Sequence, residues 1–142
     1  MTPPRTERLD DSAESTGTRA GDLSALALAT LLIGAGQTHF LAPSFYRGLI
    51  PPFLGPPDPW VYGSGVAEVS VGAAIIPRRT RRAAGFAAAL LFVVVFPGNI
   101  FHAWQARNGP RVEQAGTLLR LPLQIPLIWW AWRVARQGGN DG

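Results

Sequence analysis

Four separate blocks of apolar residues constrain the fold of this chain more than any other feature of its sequence. Charged residues are nearly confined to the segments outside these blocks, which run Leu23–Leu41, Trp60–Ile76, Ala83–Trp104 and Leu118–Val134. A helix needs about 20 mostly apolar residues to cross the ~30 Å hydrocarbon core of a bilayer. Each block reaches or approaches that length. The sequence therefore predicts an all-α fold, a polytopic membrane four-helix bundle, rather than a soluble helical domain.

The two ends of the chain are polar. Residues 1–22 mix Arg, Asp and Glu with Ser, Thr, Pro and Gly and offer almost nothing to bury, a composition typical of disorder. This lead is also too long and too acidic for a secretory signal, so we expect the first block to remain as a helix. The predicted organisation is a disordered cytoplasmic tail at 1–22, a transmembrane domain at 23–134 and a second cytoplasmic tail at 135–142.

The distribution of arginine predicts the orientation of the bundle. Cytoplasmic loops of membrane proteins carry an excess of basic residues. With the N-terminus inside, nine of the 13 basic residues lie in the cytoplasm, four of them in the turn Arg78–Arg82. The four that would lie outside are Arg47, Arg107, Arg111 and Arg120. We therefore expect a multi-pass protein of the cell membrane with both termini in the cytoplasm.

The segment Pro43–Pro59, between the first two blocks, is rich in proline but also carries Leu49, Ile50, Phe53 and Leu54. So many prolines predict a stiff, extended segment without helix. The apolar side chains need cover, so we expect the segment to lie over the outer mouth of the bundle. An interfacial loop that covers nothing is the alternative.

Polar side chains inside the apolar blocks are the candidate functional residues, because each is costly unless it faces the bundle or water. In the predicted topology eight of them fall in the outer half of the membrane, while the inner halves of the first three helices are almost wholly apolar. This division predicts an outward-facing polar cavity above a dry inner half. The eight residues are Gln37, His39, Ser64, Glu68, Asn99, His102, Arg120 and Gln124.

Helical spacing refines this cavity. Gln37 and His39 are two residues apart and point in nearly opposite directions, so only one of them can face it. Glu68 would lie about 12 Å below the outer interface at 1.5 Å per residue, too deep to stay charged alone. We expect it to interact with Arg120, the nearest cation in depth, directly, through one water or through a neighbour such as Gln124. The alternative is that these residues only bridge helices.

Several kinds of chemistry find no support in the sequence. The chain has no cysteine, which excludes disulfides and thiolate metal sites. Nothing resembles a nucleotide-binding loop, a metal constellation or an activated nucleophile. His39 and His102 could suggest a bis-histidine haem, but no further ligand set supports it. We expect no catalytic residues, no metal, no intrinsic redox centre and no nucleic-acid partner, and a bound quinone or lipid stays open.

The chain resembles the DoxX-like membrane proteins over Leu23 to Trp132. The resemblance is carried by Gly36-Gln-Thr-His39-Phe40, Pro43-x-Phe45-Tyr46, Ile50-Pro51-Pro52, Val61-Tyr62-x-Ser64-Gly65-x-x-Glu68, Pro77-Arg-Arg-Thr-Arg-Arg82-Ala83, Val95-Phe96-Pro97-x-Asn99-Ile100 and Leu119-Arg120-Leu121-Pro122-Leu123-Gln124. The family implies four helices. It also implies a site at His39, Tyr62, Ser64, Glu68, Asn99, Arg120 and Gln124. The chain departs from the family at His102, where an apolar residue such as Met is expected.

The resemblance leaves three functional classes. The family name comes from a small subunit linked to a thiosulfate:quinone oxidoreductase, which implies a noncatalytic membrane subunit or partner of a redox enzyme near the quinone pool. A binding protein for a quinone, a sterol-like molecule or another lipophilic ligand is the second class. An assembly factor without a ligand is the third. The expected partners are membrane lipids, a redox enzyme and a second copy of the chain.

Overall fold

A computed structural model of the chain describes the backbone of residues 5–138 and the side chains of residues 17–138. The described backbone is helical, without strands, which confirms the all-α prediction. The long helices are α1 (Arg5–Leu41), α3 (Pro57–Ile75), α4 (Arg78–Ala106) and α5 (Arg111–Gln137). Each apolar block lies within one of them, except that the second block runs one residue past the end of α3. Prolines precede or open α3, α4 and α5, where the missing N–H would have no helical partner.

Helix α1 begins at Arg5, far before the start at Leu23 that the sequence predicts. Helix formation is cooperative, so a helix nucleated among packed residues can extend into a polar segment. The stretch from Thr6 to Asp22 contains no proline to stop it. The remaining parts of the two predicted tails, residues 1–4 and 139–142, lie outside the described residues.

The sequence predicts that the proline-rich segment is extended, and this prediction is wrong. The segment contains a short helix α2 (Pro43–Arg47) and a 3-10 turn (Pro52–Leu54). Both begin with proline, whose fixed φ suits a first helical turn. Gly55 follows with a φ of 81°, the left-handed region that favours glycine. Arg47 Nε donates to Asp58 Oδ1 at 2.5 Å, which ties α2 to the start of α3 and raises the pKa of Arg47.

The four long helices form two closely packed pairs, α1 with α3 and α4 with α5, and α3 joins the pairs through α4. Glycine permits the first contact, since a Cβ added at Gly36 would lie 2.8 Å from the Gly65 carbonyl oxygen. In the second pair, a Cβ at Gly85 would lie 2.7 Å from the backbone of Ala135. Such close approach of backbones is typical of helices that pack in lipid.

The bundle has two different ends, which we call the arginine end, at the turn Pro77–Arg82, and the proline end, at the segment Pro43–Pro59. The buried apolar core lies in the half nearer the arginine end. This division agrees with the predicted separation of a dry half from a polar half. The core residues are Ala25, Leu28, Ala29, Leu32, Ile75, Ala84, Ala88, Ala131 and Val134.

Arg81 is buried within the arginine end, with 6% of its surface exposed. It donates to the carbonyls of Ile75 and Ile76 at 3.2 and 3.1 Å, which closes the free C-terminal end of α3. It also pairs with Asp22 of α1 at 2.6 Å, and Arg78 contacts the same carboxylate. One guanidinium therefore connects three helices.

Two helical stretches, Gly17–Leu41 of α1 and all of α4, are long and apolar enough to cross a membrane. Only 17% of the most apolar window of α4 is buried within the protein, so most of its apolar surface faces outward. Helices α3 and α5 also carry exposed large apolar residues. Across the four helices these include Leu23, Leu31, Val66, Leu90, Val94, Ile100, Leu119, Ile125 and Trp129.

Candidate functional site

A cavity of about 630 Å³ lies at the proline end of the bundle. All four long helices contribute residues to its wall. The stretch Leu49–Leu54, between α2 and α3, also lines the cavity. Apolar side chains dominate the lining, among them Trp60, Phe92 and Leu123. A cavity of this size is in the range of small-molecule sites, which combine apolar walls with a few placed polar groups.

Six of the nine residues that the sequence pattern and the family resemblance predict for the site line this cavity. They come from all four long helices and are His39, Ser64, Glu68, Asn99, Arg120 and Gln124. Gln37, Tyr62 and His102 are not among the lining residues. Gln37 is exposed on the opposite side of α1 from His39, as their spacing requires. Tyr62 is also exposed, and its ring stacks on Phe40 at 5.8 Å between centroids.

His39 is held on three sides. Its Nδ1 lies 2.9 Å from the Val61 carbonyl oxygen, and its ring stacks on Tyr46 with 3.7 Å between centroids. The Tyr46 hydroxyl in turn hydrogen-bonds Thr38 on α1. The third neighbour is Glu68, whose Oε1 lies 3.5 Å from His39 Nε2. The imidazole is therefore oriented by groups from α1, α2 and α3.

A direct ion pair with Arg120 is one form of the interaction that the sequence predicts for Glu68, and the described side chains do not form it. Both residues line the cavity. The guanidinium of Arg120 instead lies over the Phe45 ring, 4.9 Å from its centroid. The carboxylate of Glu68 is 14% exposed, and its Oε2 is buried without a hydrogen-bond partner in the described part of the chain.

Asn99 and Gln124 form a third polar group in the cavity. Asn99 Nδ2 donates to Gln124 Oε1 at 3.2 Å, and Gln124 Nε2 donates to the Phe92 carbonyl. Pro97 lies inside α4, a turn beyond Phe92, and a proline disturbs the backbone hydrogen bonds of the preceding turn. Gln124 thus donates to a helix carbonyl near Pro97 and joins α5 to α4.

The sequence reading missed the aromatic pair Phe45 and Tyr46 as part of the site. Tyr46 stacks on His39, and the guanidinium of Arg120 lies over the Phe45 ring. The rings of Phe45 and His102 make an edge-to-face contact, with 5.7 Å between their centroids. The Pro43-x-Phe45-Tyr46 string is the sequence signal that could have found them. His102 is buried but does not line the cavity. Its Nε2 lies 3.7 Å from Glu113 Oε1.

The fold and the site define an all-α helical bundle with an amphipathic cavity at one end. The chain belongs to the family described as Domain of unknown function (DUF8561), whose model matches residues 28–135. The matched range contains every residue that lines the cavity. The comparisons with curated proteins and with solved structures gave no match.

Proposed function

We propose that this chain is a DoxX-like protein of the cell membrane that crosses the bilayer four times, with α1, α3, α4 and α5 as the spans. The support is the outward-facing apolar surface on all four helices. Helix α3 has 19 residues, about 28 Å at 1.5 Å per residue, which matches the hydrocarbon thickness. The arginines of the turn Arg78–Arg82 favour a cytoplasmic arginine end, with both termini on that side.

The function that the geometry supports best is the binding of a small lipophilic molecule with a polar head. The main support is that four helices place polar groups in the wall of the cavity while the rest of that wall is apolar. Polar residues at membrane depth are costly, and here six of them converge on one space. A bundle that only needed its helices bridged would pair these groups with one another, but Glu68 Oε2 stays unpaired by the described residues.

A partnership with a redox enzyme near the quinone pool is compatible with this function, because a quinone is a lipophilic molecule with polar head oxygens. In that case the protein would hold or deliver the quinone without catalysing a reaction itself. A role as an assembly factor gives no reason for the cavity.

Purification in mild detergent, followed by mass spectrometry of retained lipids and proteins, tests the proposal. The wild type should retain a small molecule in stoichiometric amount. Ser64→Leu fills the cavity from α3 and should release it. Ser70→Leu makes the same change at an exposed position of α3 and should not. Retention by Ser64→Leu, or a wild type that holds only a protein partner, would refute the binding function.

A further inference from the structure

The proton positions around His39 follow from its neighbours. A carbonyl oxygen can only accept a hydrogen bond, so the contact of Nδ1 with the Val61 carbonyl at 2.9 Å places a proton on Nδ1. The other ring nitrogen, Nε2, faces Glu68 Oε1 at 3.5 Å. This contact is attractive when one further proton lies between the two groups, either on the imidazole or on the carboxyl.

In both protonation forms of the pair of His39 and Glu68, the second carboxyl oxygen, Oε2, is a hydrogen-bond acceptor. If the imidazole carries the proton, Glu68 is a carboxylate and Oε2 accepts hydrogen bonds. If the carboxyl carries it on Oε1, towards Nε2, then Oε2 is a carbonyl-type oxygen and again accepts. Oε2 is buried, and no described residue donates to it. A buried acceptor in a largely apolar cavity calls for a donor from the ligand.

The charges around the cavity restrict the kind of donor. Arg120 contributes a permanent positive charge to the lining, and the pair of His39 and Glu68 adds no net charge in either form. An ammonium ligand would therefore meet like charge. A neutral hydroxyl meets no such repulsion, and its carbon frame suits the apolar wall of Trp60, Phe92 and Leu123.

We infer that the ligand of this cavity is a neutral lipophilic molecule with a free hydroxyl, an alcohol or a phenol, whose O–H donates to Oε2 of Glu68. The inference rests on the proposed function and narrows its ligand class. It selects a hydroquinone over the corresponding quinone, because only the reduced form has the donor.

Binding of three matched probes to the purified full-length protein tests the inference. The probes are para-hexylphenol, para-hexylbenzyl alcohol and para-hexylanisole, the last being the methyl ether of the first and lacking the donor. Partition into protein-free micelles is measured separately and subtracted. A hydrogen bond to a charged or strongly polar acceptor should favour a hydroxyl probe over the ether by about tenfold or more. Whichever of the two hydroxyl probes binds more tightly identifies the natural ligand as a phenol or as an alcohol.

Two variants separate the acceptor from the shape of the site. Glu68→Met removes both oxygens and should bind phenol and ether equally. Glu68→Gln should keep the preference, because its amide NH₂ satisfies His39 Nε2 and leaves its oxygen towards the cavity. Circular dichroism checks that both variants are folded. If the wild type binds the ether as tightly as the hydroxyl probes, the inference fails and the proposed function stands. If it binds no probe, both fail.

Discussion

Arg79 and Arg81 stand two residues apart in the same basic turn, but only Arg81 is buried. Arg81→Met removes donors from two α3 carbonyls and from Asp22, and we expect a loss of about 2 kcal/mol in the free energy of unfolding, since hydrogen bonds to charged groups contribute that much. Unfolding in detergent by titration with a denaturing surfactant measures the loss.

Arg79→Met is the matched control for this prediction. It removes the same charge from the same turn, so any effect of the arginines on membrane orientation changes equally, but its stability should stay within about 0.5 kcal/mol of the wild type. Equal stability of the two variants would show that Arg81 acts only as one charge among four.

Gln124 is another buried polar residue that joins helices. Gln124→Leu leaves the Phe92 carbonyl and Asn99 without their partner, and we expect it to destabilise the protein by about 1–2 kcal/mol. Gln105→Leu makes the same change at an exposed site of α4 and should have little effect. Thermal unfolding of the two variants in the same detergent measures this loss of stability. If Gln124→Leu leaves the stability unchanged, the role given to this amide is wrong.

Single polar residues could be predicted from the sequence in part. Helical spacing and depth selected six residues that line the cavity, and spacing predicts that only one of Gln37 and His39 faces it, which in the structure is His39. The partner of Glu68 could not be predicted this way. Depth gives the position of a residue along the bundle, but the contact with His39 depends on how closely α1 approaches α3 and how each helix is rotated.

Gly36 shows how one residue sets the distance between two helices. A methyl group there would lie 2.8 Å from the Gly65 carbonyl oxygen, so Gly36→Ala must push α3 away from α1. We expect a loss of about 1–3 kcal/mol, as for other overpacked contacts. Because the shift also separates His39 from Glu68, the same variant should lose its preference for hydroxyl probes.

Gly34→Ala is the control for the helix contact, since a methyl group at Gly34 meets nothing within 4 Å. Ala favours helix over Gly, so this variant should be as stable as the wild type or slightly more so. Unfolding measurements on both variants test the pair, and similar behaviour of the two would argue against a tight α1–α3 contact.

The elements of the fold differ in how far the sequence predicts them. Long apolar blocks predicted the four long helices, because length and composition carry that signal. The proline-rich segment was predicted as extended, but proline is excluded only from helix interiors and suits first turns, as Pro43 and Pro52 show. Small residues let helices pack closely. Of Gly34, Gly36, Gly65, Gly72 and Gly85, which all lie in long helices, only Gly34 has open space around it.

For the whole molecule, the sequence separated a dry half from a polar half but carried no information on which helices are neighbours. The structure pairs α1 with α3 and α4 with α5, and the cavity lies between these pairs. The proposed membrane topology has a clear consequence for this arrangement. In that topology the proline end, where the cavity lies, would face the exterior, and the arginine end would face the cytoplasm.

Labelling of single cysteines in intact cells tests the four-span topology most directly, because the chain has no native cysteine. The variants Ser44→Cys and Asn108→Cys lie at the proline end, and Arg79→Cys and Gln137→Cys lie at the arginine end, all at exposed positions. A membrane-impermeant maleimide should label the first two in intact cells and the last two only after lysis. If only α1 and α4 crossed the membrane, Asn108→Cys would be protected and Arg79→Cys labelled, and that result would contradict the proposed topology.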